Sequence, residues 1–189
     1  ESAIRAMLEP HVQMPAAPTA SPLEQAKTLF AESRFSEAEA LLQAVLGEDN
    51  SNAEGLIYNG RCLAERGDLD AAQQVLDAVK SDEHKAALAG AKAQLTFLRQ
   101  AASLPEAAEL KSRLAQNPQD DEAAYQLCIQ QLARQQYEAA LDGLLKLFQR
   151  NRAYDNGLPQ KAMLQVFDLL GGDHPLVGVY RRRLSSAMF

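Results

Sequence analysis

The sequence predicts an all-α chain built as an array of repeated helix–turn–helix units. The first reason is a skeleton that occurs three times. It consists of a turn residue, an aromatic or Leu two later, Ala three after that, and apolar positions further along the same face. The copies are Ser33/Phe35/Ala38/Leu42/Val45, Gly67/Leu69/Ala72/Leu76/Val79 and Gln135/Tyr137/Ala140/Leu144/Leu147. The second copy follows the first by 34 residues and the third follows by twice that spacing. The second reason is composition: the chain is 47 % hydrophobic and rich in Ala and Leu, which suits close-packed helices. The third is that no run of β-branched residues alternates as a strand would.

A fixed 34-residue period of helix–turn–helix is the tetratricopeptide signature. The expected architecture is four to five helix pairs in a short right-handed superhelix over 23–189. Residues 1–10 carry a short apolar stripe, Ile4, Met7 and Leu8, which is too short to stand as a helix alone. They read as the last helix of an upstream domain. Residues 11–22 hold Pro15, Pro18 and Pro22 and read as a semi-extended linker. The chain starts on Glu1, and a longer protein is expected around it.

Ser21 is expected to cap the first helix, with Pro22 at its first position. Leu23, Ala26, Leu29 and Phe30 line that helix, and Ala38, Leu41, Leu42, Val45 and Leu46 line its partner, ended by Gly47. The second pair uses Leu56, Gly60 and Leu63, then Ala72, Leu76 and Val79, with Gly60 at the closest approach. The third pair, roughly 85–100 and 105–116, has lost the turn signature around Ala101 and Ser103. The fourth pair starts on the acids Asp120 to Glu122, which suit a helix N-terminus. It is lined by Tyr125, Leu127, Cys128 and Leu132, then by Ala140, Leu141, Leu144, Leu145 and Phe148. A fifth pair runs from about Leu158 to Leu170 and, after Gly171-Gly172, from Asp173 to Phe189.

Composition excludes several functions. A net charge of −6 argues against general nucleic-acid binding. No stretch reaches the ~18 consecutive apolar residues of a membrane span. The charge is uneven. From Glu32 to Glu83 there are twelve acidic and four basic residues, net −8, and from Leu144 to Phe189 seven basic and three acidic, net +4. Two solvated faces explain this, and so does a two-ended molecule or head-to-tail packing. No catalytic, cofactor or metal site is expected. His11, His84 and His174 lie far apart without ligand spacing, and no phosphate loop or nucleophile motif occurs. Acidic pairs such as Asp68/Asp70 suit caps and helix starts. Cys62 and Cys128 lack any C-x-x-C or zinc spacing and read as buried, inert thiols.

Two surfaces stand out as candidate partner sites. Arrays that clamp a C-terminal carboxylate present Lys and Asn at the fifth and ninth positions of their first helices. Here those positions hold Leu23 and Lys27, Ile57 and Arg61, Tyr125 and Ile129, so that clamp is not expected. Tyr125, Ile129 and Leu132 would instead give the inner face an apolar client patch, unless the array curls and buries them. The last helix carries Val177, Tyr180, Leu184 and Met188 on one stripe, Phe189 off it, and Arg181, Arg182 and Arg183 besides. A terminal repeat needs a polar outer face, so an apolar one points to docking.

Several sequence blocks resemble a known family. They are A-Y-Q-L at Ala124–Leu127, Y-E-A-A-L-D at Tyr137–Asp142, D-N-G-L-P-Q-K at Asp155–Lys161, L-L-G at Leu169–Gly171 and Y-R-R-R-L at Tyr180–Leu184. Together with the helix remnant, the linker and the degenerate third unit, they make the chain similar to the C-terminal tetratricopeptide region of the bacterial thioredoxin-like chaperedoxins, the CnoX/YbbN family. The resemblance implies an upstream thioredoxin-like domain and a cytoplasmic holdase acting in oxidative stress. It implies unfolded-protein clients, and transfer to the GroEL chaperonin through the C-terminal helix, here 173–189. It implies no enzyme activity for this region, since neither Cys62 nor Cys128 matches the thioredoxin motif.

Overall fold

The computed structural model describes residues 20–188. The helix remnant at 1–10, most of the linker at 11–22, His11 and Phe189 lie outside the described residues. Among the described residues ten α-helices follow one another: α1 Pro22–Ala31, α2 Phe35–Glu48, α3 Ala53–Glu65, α4 Leu69–Ala78, α5 Lys85–Ala102, α6 Ala107–Gln116, α7 Asp121–Ala133, α8 Tyr137–Arg150, α9 Leu158–Leu170 and α10 Pro175–Met188. A short 3-10 turn at Tyr154–Asn156 precedes α9. The caps satisfy orphan N–H groups at helix starts. Ser21 Oγ accepts from Glu24 N at 3.2 Å, Asn52 Oδ1 from Gly55 N at 2.8 Å, Asp68 Oδ1 from Ala71 N at 3.3 Å and Asp120 Oδ1 from Ala123 N at 2.9 Å. Gly47 does not end α2, which continues to Glu48.

The repeated skeleton is a repeated turn. Its first residues, Ser33, Gly67 and Gln135, all adopt left-handed backbone, with φ of 61°, 88° and 58°. Each reverses the chain with the same pair of hydrogen bonds. Ser33 N donates to Phe30 O and Arg34 N to Leu29 O. Gly67 N donates to Ala64 O and Asp68 N to Leu63 O. Gln135 N donates to Leu132 O and Gln136 N to Gln131 O. This is the Schellman closure of a helix C-terminus, which needs one residue at positive φ. It folds α2 back on α1, α4 on α3 and α8 on α7.

The third unit shows what happens without that residue. Ser103 closes α5 at φ −100°, on the right-handed side, and the chain does not reverse. The expected pairing of α5 with α6 is therefore corrected: α6 packs on α7, and α5 packs on α9. Gln130, buried on α7, anchors the connection by donating to Ala101 O at 3.1 Å and Pro105 O at 3.0 Å. Helix α9 runs antiparallel to α5. Gly90, near the start of α5, meets Asp168 and Leu169 at the end of α9, while Gln100 and Ser103 share a depression with Leu158. A Cβ at Gly90 would lie 2.6 Å from the Asp168 carbonyl oxygen, so only glycine lets the two backbones come this close.

Three apolar clusters succeed one another along the array, as stacked repeats require. Ala26, Ala38, Leu42 and Cys62 form the first. Ile57, Ala72, Leu76 and Leu95 belong to the second. The third and largest unites α5, α7, α8, α9 and α10 through residues such as Phe97, Ile129, Leu144, Phe148, Phe167 and Tyr180. The expected fifth pair is likewise rearranged, because α10 lies chiefly along α8 and α9 serves α5.

Candidate partner-binding surfaces

Helix α10 has a fixed face and a free one. Val177, Tyr180 and Leu184 recur at i, i+3 and i+7, which turns them to one side. They are 0 %, 2 % and 5 % exposed, packed into the third cluster. The placing of these three among the docking residues is corrected: they are core, and burying each stabilises by about 1.5–3 kcal/mol. Polar contacts reinforce the seam. Tyr180 Oη donates to Asp142 Oδ1 at 2.7 Å, and Arg183 Nη1 pairs with the same oxygen at 2.7 Å. The two donors hold the Asp142 carboxyl below its ordinary range, the tyrosine being the larger cause. Arg152 stacks over Phe148 at 5.1 Å and donates to the last carbonyls of α10, at Ala187 and Met188.

The free face looks different. Val179, turned away from that stripe, is 41 % exposed, and Met188, which continues the stripe into the last turn, is 45 % exposed. With Leu164 on α9, they are the exposed large apolar side chains of the described residues, and all three lie on the last two helices. Arg181 and Arg182 are exposed. Arg181 lies 5.6 Å over the Phe167 ring, and among the described residues neither arginine pairs with a carboxylate.

The inner apolar patch is also corrected. Ile129 is 0 % and Leu132 3 % exposed, both within the third cluster. The cause is the packing of α7 on α5, α6 and α8, whose shared core takes in both side chains. Tyr125 remains half-buried at the edge, its ring 6.2 Å from that of Tyr154, and burial pushes its hydroxyl up to about 12.

A polar arrangement that no sequence motif announces occupies the first helices. The Arg61 guanidinium lies 4.4 Å over Phe30 and 5.5 Å from the Tyr58 ring centre, and its Nε donates to Gln94 Oε1 at 2.8 Å. Gln94 in turn donates to Glu65, which also accepts from Gln135 at 3.2 Å. Burial raises the Glu65 carboxyl above its usual range despite these donors. Lys27 pairs with Glu24 and Glu54. The signal available was Lys27 and Arg61, one period apart and therefore on neighbouring helices at one level.

Cys62 and Cys128 are buried, and desolvation pushes both thiols up to about 12, which suits inert packing residues. Among the described residues no group of His, Cys, Asp or Glu could hold a metal ion, and no helix is long and apolar enough to cross a membrane.

Comparison with known proteins gives two family matches, both described as Tetratricopeptide repeat, one over residues 29–95 and one over 100–189. The chain is 27 % identical over 142 residues to an uncharacterised protein of Haemophilus influenzae. That match covers 75 % of the chain and spans 64 % of the relative's length. It is also similar to a crystal structure of a domain of protein VP0806, of unknown function, from Vibrio parahaemolyticus. That likeness has 26 % identity and a TM-score of 0.40, and covers 89 % of this chain and 99 % of that one.

Proposed function

We propose that this chain, an all-α tetratricopeptide-like array, is the partner-binding module of a thioredoxin-like co-chaperone of the bacterial cytoplasm. It performs no catalysis of its own. Arrays of this kind present extended surfaces to protein partners. In this reading the module follows a thioredoxin-like domain, serves unfolded clients and docks on the GroEL-type chaperonin through the outer face of α10. One observation supports it above the others: Leu164, Val179 and Met188, the exposed large apolar side chains of the described residues, all lie on the last two helices, and Val179 shares the outer side of α10 with exposed Arg182.

Deleting 173–189 does not test this cleanly, because it removes Val177, Tyr180 and Leu184 from the core. The better variant is the full chain carrying Val179→Asp and Arg182→Glu, both on exposed positions. Chaperonin capture is expected to fall at least tenfold while the melting temperature stays within about 2 °C of wild type. Undiminished capture by the folded variant would sink the docking claim.

A second reading, self-association through the repeats, is favoured by the acidic first half and the basic end. Sedimentation separates the two: a dimer that salt dissolves supports assembly, and a monomer at all concentrations removes it.

A further inference from the structure

The seam between α8 and α10 opens outward into a depression of about 330 Å³ lined by Leu145, Gln149, Arg182, Arg183, Ser186 and Ala187. Its α10 wall continues in one stripe. Val179, Arg182, Arg183 and Ser186 stand at i, i+3, i+4 and i+7, two helical turns or about 10 Å. Lys146 on α8 stands three residues before Gln149 and acts on Asp142 through space.

The charges around this depression do not balance. Arg182 and Arg183 line it, Arg152 holds the end of α10 beside it, and Lys146 lies near Asp142, the carboxylate of α8 that faces α10. Asp142 is already committed to Tyr180 and Arg183. Arg152 is committed to the carbonyls that end α10. Among the described residues Arg182 and Lys146 have no carboxylate partner. Arg182 borders an apolar floor at Leu145 and Ala187, Lys146 stands outside that lining beside Asp142, and half-exposed Val179 extends the stripe.

We infer that this seam receives an acidic segment of a partner protein, with a carboxylate on Arg182 and an apolar residue facing Val179. The occupant's charge follows from the unpaired cations, and its apolar contact follows from Val179 on the same stripe as Arg182. A guanidinium offers a planar fork that a carboxylate fills two bonds at a time, so Arg182 sets the register and Lys146 adds an undirected attraction. Nucleic acid fits less well. The residues from Glu32 to Glu83 carry a net −8, and a phosphate backbone needs an extended basic track rather than one short seam.

The inference rests on the reading that α10 is a docking helix, and it adds the chemistry of what docks. The test uses the full chain and a fluorescein-labelled, alanine-based helical peptide with Glu at i, i+4 spacing. The same peptide with Gln at those positions is the control. The protein variants are Arg182→Glu and Lys146→Glu, both exposed and outside the core. The Glu peptide is expected to bind, to weaken at least tenfold in either variant, and to be released by salt as screening shortens from about 10 Å to about 3 Å. Equal binding of the Gln peptide, unchanged binding by both variants, or no binding at low salt overturns the inference. So does displacement of the peptide by a DNA oligonucleotide at equal charge concentration. Chaperonin capture by the same variants keeps the two ideas apart. Capture without peptide binding removes the acidic-segment inference alone, and peptide binding without capture removes the chaperonin reading alone.

Discussion

Gly90→Ala is the sharpest perturbation of the rearranged array. The new Cβ would lie 2.6 Å from the Asp168 carbonyl oxygen, 3.1 Å from Leu169 Cα and 3.3 Å from the Asp168 carbonyl carbon. All three are backbone atoms, so no side chain can step aside. Restoring ordinary contact at 3.4 Å needs a separation of about 0.8 Å, and α9 must move as a body to give it. Met163, Val166 and Phe167 of α9 are 0–2 % exposed and lose contact as it moves. Overpacking of this kind costs about 1–3 kcal/mol. Alanine returns up to about 1 kcal/mol of helix propensity. The expected net loss is about 1 kcal/mol or more, and each kcal/mol lowers the melting temperature of a chain this size by about 2–4 °C. Gly47→Ala supplies the opposite sign: Gly47 lies inside α2 with nothing within 4 Å of the new methyl, and a gain of about 0.5–1 kcal/mol is expected. Urea unfolding of both variants measures the difference. A Gly90→Ala chain as stable as Gly47→Ala would refute the α5–α9 contact as the cause.

Other outcomes follow from the turns and the buried acid. Gln135 and Ser33 hold left-handed backbone that costs a side-chain-bearing residue roughly 1–2 kcal/mol. Gln135→Gly and Ser33→Gly are each expected to raise the urea midpoint, offset in part by unfolded-state entropy, while Gly67→Ala lowers it. A drop in both glycine variants would contradict the shared turn geometry. The Glu65 carboxyl is raised above its unfolded value, with burial as the main cause. A raised carboxyl stabilises the fold below the unfolded value, and that contribution is lost as pH rises through the folded one. Glu65→Gln keeps an acceptor for Gln94 and Gln135, so it is expected to raise stability at pH 7 and to gain nothing near pH 4. A melting series against pH checks both ends, and equal effects at the two pH values would exclude burial of charge as the cause.

Much of this architecture is legible from local rules, and the failures have a common origin. The ruler of Ser33, Gly67 and Gln135 locates three turns because each turn is closed within its own few residues. The capping residues Ser21, Asp68 and Asp120 are readable for the same reason. The loss of the signature at Ala101–Ser103 is visible too, but its consequence is not. Without a positive-φ residue, α5 is left without its usual partner, and which helix takes that place depends on contacts far along the chain. The small residues Ala86, Gly90 and Ala93 on α5 are the available hint, since spacing of this kind marks a close helix approach. The site residues divide along the same line. The stripe of Val177, Tyr180 and Leu184 shows that α10 is amphipathic, yet only its packing on α8 settles that this stripe is the inner side. Ile129 and Leu132 belong to a patch only if nothing covers them, and the packing of α7 on α5 and α8 covers them.

The most direct measurement is amide hydrogen exchange of the full chain with and without the chaperonin. Added protection confined to peptides covering Pro175–Met188 and the facing part of α8 is the expected result. Unchanged exchange across α10, with protection elsewhere on the array or nowhere, would contradict the role given to its outer face.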